Sequence, residues 1–183
     1  MIMEYVYHGS NTPNLKIIKR NKSTHNKYWI YATYSKAIST IFLPPNHSDL
    51  FYSLSGNGID TPVCLVERKP GMFKNIFNAS GSIYYLDKTN FKENMTGWSA
   101  ELVSDKDEKV RKEEHIDNIY NKLVELSKDG ELQLYLYPER PDWVPLDNSD
   151  LIPKVKRWEK NGFDIKYFFN IYPELKDRYN DYK

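Results

Sequence analysis

The chain is poor in the residues that most small sites are built from. Its single cysteine, Cys64, excludes an internal disulfide and any all-cysteine metal site. Its four histidines, His8, His25, His47 and His115, lie far apart and show no metal-ligand spacing. No apolar run approaches the roughly 18 residues of a membrane helix, and the opening Met-Ile-Met-Glu-Tyr shows neither the basic nor the apolar region of a secretory signal. Glycine-rich dinucleotide and phosphate loops, the His-Glu-x-x-His zinc motif and the Gly-x-Ser-x-Gly elbow are all missing. Net charge is also nearly absent: 26 Lys and Arg stand against 25 Asp and Glu. That excludes a basic nucleic-acid coat or an acidic tail as the business of the whole chain. The expectation is a soluble, cytoplasmic protein of a reducing compartment, without membrane contact, whose 183 residues form one domain.

What the chain does have is aromatic rings, at 15% of residues, and an uneven charge distribution. Residues 1–92 carry 11 basic and 5 acidic residues; residues 93–183 carry 15 and 20. The basic excess is densest at Lys16, Lys19, Arg20, Lys22 and Lys27, where a phosphate-bearing ligand could be met. β-branched and aromatic runs predict strands over 3–8, 28–33, 62–68, 82–86, 98–104 and 132–137. Helical spacing predicts helices over 35–42, 113–128, from 151 onward and over 165–172. Residues 46–61 and 105–114 read as solvated loops. Strand-helix-strand alternation does not run through the chain, so a doubly wound parallel sheet is not expected. The class is α+β: two small, mainly antiparallel sheets forming a split cleft over 1–137, with a connector and C-terminal helices over 138–183 packed on them.

Three short segments carry chemistry. Tyr7-His8-Gly9-Ser10 places an imidazole, a bare backbone and a hydroxyl together at a strand end. Ile30-Tyr31-Ala32-Thr33, followed by Ser35-Lys36-Ala37, puts a ring beside small residues. Trp98 to Ser104 holds one carboxylate, Glu101, in an otherwise uncharged strand, where burial without a partner or a task is costly. Cys64, in an apolar strand, reads as a structural thiol.

Together these segments resemble the ADP-ribosyltransferase superfamily of the His-Tyr-Glu type, which includes the poly(ADP-ribose) polymerases and diphtheria-like toxins. His8-Gly9-Ser10 is similar to the family's His-Gly-Ser/Thr. Ile30-Tyr31-Ala32 and Ser35-Lys36 are similar to its Ile-Tyr-Phe-Ala and Ser-Lys-Ser, and Glu101 to its third-motif glutamate. The resemblance spans roughly 3–104. It implies NAD as substrate in the cleft. His8 would bond a ribose hydroxyl, the Gly9 backbone would pair with the nicotinamide carboxamide, and Tyr31 would stack on the ring. Glu101 would bind the ribose 2′-hydroxyl and stabilise the oxocarbenium-like sugar. Ser10 and Ser35 join the implied binding set, and Lys19 and Arg20 would meet the pyrophosphate. The family's second serine is Ala37 here, so one carboxamide contact is expected to be missing, and Phe42 is the available second ring. The implied activity is ADP-ribosyl transfer to an acceptor (protein, nucleic acid or small molecule), or NAD hydrolysis. The alternatives are a non-catalytic nucleotide- or partner-binding member of the same fold, an RNA 2′-phosphotransferase-like enzyme, and an unrelated α+β interaction domain.

Overall fold

The computed structural model describes residues 5–23, 25–44 and 50–182. Its strands are β1 (Tyr5–Ser10), β2 (Ile17–Ile18), β3 (Asn21–Lys22), β4 (Tyr28–Ala32), β5 (Tyr52–Ser55), β6 (Cys64–Glu67), β7 (Gly81–Asp87), β8 (Lys92–Glu93), β9 (Leu102–Ser104), β10 (Glu108–Ile116) and β11 (Gln133–Tyr135). The helices are α1 (Lys36–Ile41), α2 (Met72–Ile76), α3 (Ile119–Lys128), α4 (Leu151–Lys160), α5 (Lys166–Ile171) and α6 (Lys176–Asp181). The fold is α+β with three sheets, in the orders β1-β7-β10-β2, β3-β4-β9-β8 and β11-β6-β5. Every strand pairing is antiparallel except β11 with β6.

β7 is the axis of the packing. It is buried from Gly81 to Leu86 because both its faces are covered. Ile83 and Tyr85 point into a cluster with Ile38 and Ile41 of α1, Leu65 of β6, Phe73 of α2 and Leu123 of α3. Tyr84 and Leu86 point the other way, against Val6, Ile30, Ala32 and Leu102. Each such apolar side chain contributes about 1.5–3 kcal/mol when fully buried. A third cluster joins Leu50 to the C-terminal helices through Leu151, Val155, Phe168 and Tyr172. The 138–150 connector is pinned by Arg140, which donates to Pro145 O, Asn148 Oδ1 and Arg68 O.

The structure differs from the sequence expectations in five places. Two sheets were expected and three form, because residues 52–55, read as loop, pair with β6. (The loop reading also covered 46–49, which lie outside the described residues.) The charged stretch 105–114 is largely strand, and the helix expected from 113 begins only at Ile119. β10 tolerates its charges because each inward carboxylate finds donors. Glu108 accepts from Ser104 Oγ at 2.6 Å, and Glu113 accepts from Ser82 Oγ at 2.7 Å. The strand expected over 98–104 begins at Leu102, after a turn in which Glu101 N–H donates to Trp98 O. Finally, the turn after Pro70-Gly71 opens the short helix α2, which the sequence reading passed over.

Glu114 is the polar clamp of this frame. Its carboxylate accepts from Tyr85 Oη at 2.8 Å, from Lys36 Nζ at 3.4 Å and from Lys122 Nζ at 3.0 Å, joining β10 to β7, α1 and α3. Burial alone would raise its pKa, but Tyr85, Lys122 and Lys36 outweigh burial and hold it down at about 2. A carboxyl lowered by folding stabilises the protein above its unfolded value, and that stability is lost as pH falls through the folded value. Glu114→Gln should therefore lower unfolding free energy by about 1–3 kcal/mol at neutral pH. Wild type and variant should converge as pH drops from about 4.5 toward 2. Urea titrations at several pH values check this, and a gap that persists undiminished in acid removes the carboxylate as its source.

A candidate active site where two sheets meet

Among the described residues the first two sheets share one backbone bridge. Tyr7 and Thr33 exchange two backbone hydrogen bonds, of 2.7 and 2.9 Å, joining β1 to the residue after β4. A cleft of about 280 Å³ opens beside this junction. Its walls come from β1 (Tyr7, His8, Gly9), the end of β4 (Tyr31, Ala32, then Thr33), α1 and its C-cap (Ile38, Ser39, Phe42) and the 98–101 turn (Trp98, Glu101), with His25 from the turn before β4. His8, Gly9, Tyr31 and Glu101, expected as site residues, thus face one space.

His8 is held by its Nδ1, 2.7 Å from Tyr31 O. A carbonyl only accepts, so Nδ1 carries the proton and Nε2 is left as an acceptor in the neutral ring. Burial pushes the imidazole below its usual pKa, partly offset by this bond. His8 is therefore neutral at neutral pH and offers a fixed lone pair. Tyr31 Oη lies 2.7 Å from His25 Nδ1, and His25, Trp29 and Tyr31 pack ring against ring at 6.0–6.3 Å. On the opposite wall Phe42 meets Trp98 edge to face at 6.1 Å.

Gly9 has a packing reason as well as a site reason. A Cβ there would lie 2.5 Å from Ser39 O, a backbone atom that cannot swing away. The bare position lets α1 press against β1, which brings Ser39 to the cleft. Ser39 is 3% exposed and its Oγ has no hydrogen-bond partner among the described residues. An orphaned buried hydroxyl is uncommon, because it forfeits its hydration without return. Here it lines a cleft that a polar ligand atom can enter. Ala37, where a serine contact is expected to be missing, is buried in the core, and Ser39, two residues on, puts a hydroxyl on the cleft.

Glu101 is the one acidic residue among the described lining, which holds no lysine or arginine. Among the described residues no side chain donates to its carboxylate or pairs with it. The turn that carries it is anchored from a distance by Asn57, which is 8% exposed. Asn57 Oδ1 accepts from the N–H groups of Ile59, Asp60 and Thr61 at 2.9–3.2 Å, which fixes the amide's orientation. Its Nδ2 then donates to Ser99 Oγ at 3.2 Å. Ser39, His25, Trp98 and Asn57 were all missed by the sequence reading.

Four expected site residues stand elsewhere. Ser10 Oγ accepts from Thr12 N, closing the turn after β1. Ser35 caps α1, its Oγ accepting from Ile38 N, and lines a separate recess of about 420 Å³. Arg20 turns to Asp107 and to Asp105 O, and Lys19 follows it on the exposed side. Neither cation reaches the cleft, whose lining holds no lysine or arginine.

Two other arrangements fail as sites. Ser82, His115 and Asp117 form a triad-like chain, with Ser82 Oγ 3.2 Å from His115 Nδ1. Ser82 is fully buried and donates to Glu113, so it presents no nucleophile. Burial also pushes the Cys64 thiol up, away from reactivity. Among the described residues no cluster of His, Cys, Asp and Glu could hold a metal ion, and no helix is long and apolar enough to cross a membrane. Comparison with protein-family models, curated proteins and solved structures finds no match to this chain.

The Asn57 anchor is testable apart from any ligand. Asn57→Ala should cost about 1–3 kcal/mol and Ser99→Ala about 1 kcal/mol. In both variants the Glu101 amide, bonded to Trp98 O, should exchange with deuterium faster than in wild type. Unchanged protection at Glu101 would show that Ala100 packing alone holds the turn.

Proposed function

We propose that the cleft binds NAD and breaks its nicotinamide–ribose bond, transferring ADP-ribose to an acceptor. The observation that carries this reading is the convergence on one ring-walled space of His8, Tyr31 and Glu101, whose carboxylate has no partner among the described residues. Each wall matches a part of the substrate. Nicotinamide is a flat cationic ring, and stacking against Tyr31 and contact with Phe42 suit it. Its carboxamide both donates and accepts, and the Ser39 hydroxyl with the Gly9 backbone supplies a counterpart. His8 Nε2 accepts from a ribose hydroxyl.

Glu101 carries the chemistry. As the C1′–N bond lengthens, its electron pair leaves with nicotinamide and the ribose becomes positive. A carboxylate already in place stabilises charge that exists only near the transition state. It also accepts from the 2′-hydroxyl, which fixes the sugar. An RNA 2′-phosphotransferase would need cations in the cleft, and the lining has none. That observation favours the ADP-ribosyl reading over it.

Glu101→Gln keeps shape and hydrogen bonding but removes the charge. Nicotinamide release should fall by about 100-fold or more, with NAD binding by thermal shift little changed. Tyr31→Ala removes stacking in the ground state too, so binding should weaken first. Release at the wild-type rate in Glu101→Gln would end the catalytic assignment. Binding of NAD without any nicotinamide release by the wild type would make the protein a nucleotide binder.

A further inference from the structure

Residues 5–48 contain no Asp or Glu, yet they hold Lys16, Lys19, Arg20, Lys22, Lys27 and Lys36. Lys36 is clamped by Glu114, and Arg20 by Asp107. Lys22 and Lys27 have no ion pair among the described residues. Both sit on the β3–β4 hairpin, where Lys22 stands opposite Tyr28. Tyr28 is 65% exposed, although Ile30 and Ala32 on the same strand face are buried. Trp29, on the other face, continues the ring cluster through His25 to Tyr31 in the cleft. The hairpin therefore offers free cations and an open ring, and its ring cluster runs into the cleft.

We propose that this hairpin docks single-stranded nucleic acid, the acceptor for the cleft; the proposal rests on the NAD reading above. Free cations and exposed rings together are what a single strand uses, phosphates on the first and unstacked bases on the second. An acidic protein segment would use the lysines and leave Tyr28 idle. A duplex keeps its bases paired and stacked, and must give up both to send one into a cleft of about 280 Å³, which a single strand need not. In the transfer a base nitrogen attacks C1′ of the ribose. The C1′–N bond to nicotinamide breaks, and nicotinamide takes the electron pair. The proton lost from the attacking nitrogen passes to the Glu101 carboxylate.

The test is fluorescence anisotropy with a labelled single strand of about twelve nucleotides, a duplex of equal length and an acidic peptide of similar charge. The single strand should bind tightest, and its affinity should fall with salt. The double variant Lys22→Ala/Lys27→Ala should weaken it by about tenfold or more and reduce the salt slope by about 1.4. Tyr28→Ala, at an exposed position, should weaken it by about fivefold or more. The strand should also raise nicotinamide release from NAD. Absent binding at low salt, equal binding of the acidic peptide, or indifference to both sets of substitutions overturns the proposal. A thermal shift with NAD on the double lysine variant separates the two readings. An unchanged shift leaves the lysines to the acceptor, whereas a lost one assigns them to the pyrophosphate and overturns the proposal. If NAD shifts no form of the protein while the strand still binds through these residues, the cleft reading fails and only the docking surface remains.

Discussion

Two backbone hydrogen bonds between Tyr7 and Thr33 are the constraint on which the candidate site depends. Among the described residues they are the one backbone bridge between the first two sheets, and they leave the next residues of each strand, His8 and Ala32, beside a gap. The His8 side chain reinforces the joint by bonding Tyr31 O across it. A longer ladder at this place would pair the two strands and close the gap. A weaker one would let Tyr31 and His8 drift apart. The cleft exists because the contact between the sheets is short and doubly bonded.

Around that joint the structure separates charges that are spent from charges that are left over. Glu114, Glu113 and Glu108 on β10 each collect hydroxyl or ammonium donors, which is how a strand so rich in charge packs beside the buried β7. The two terminal nitrogens of Arg68 are taken up in the same way by Asp150 and Asn148. Glu101 and Ser39 Oγ differ, since both reach the cleft without a partner among the described residues. Folding has left one charge and one hydroxyl unmatched on the walls of one space, and unmatched polar groups there are what a ligand can complete.

The misread segments share a physical cause. Residues 105–114 look solvated because local charge density says so, while Ser82 and Tyr85, which take up Glu113 and Glu114, stand 31 and 29 positions away. The helix expected from Glu113 fails because apolar positions at helical spacing begin only at Ile116, while pairing with β7 holds the chain extended through that residue. Glu101 was expected inside a strand, but the 98–101 turn precedes β9. The carboxylate is thereby set at a strand end that faces the cleft, away from the interior of a sheet.

The sequence by itself determined the class of fold, the order of most elements and four residues of the cleft, His8, Gly9, Tyr31 and Glu101. Those follow from local signals: strand-forming runs, helical spacing, and short motifs whose residues are neighbours along the chain. Only the tertiary structure decided that His8, Tyr31 and Glu101 share one space, that Ser39 stands where Ala37 cannot, and that Asn57 reaches Ser99 across 42 positions. It also decided that Lys19 and Arg20 turn away, because Asp107, distant in sequence, draws Arg20 to the other side. Contacts between residues far apart in the chain depend on how the sheets meet, and that meeting rests on Tyr7 and Thr33, two residues that no local pattern marks as partners.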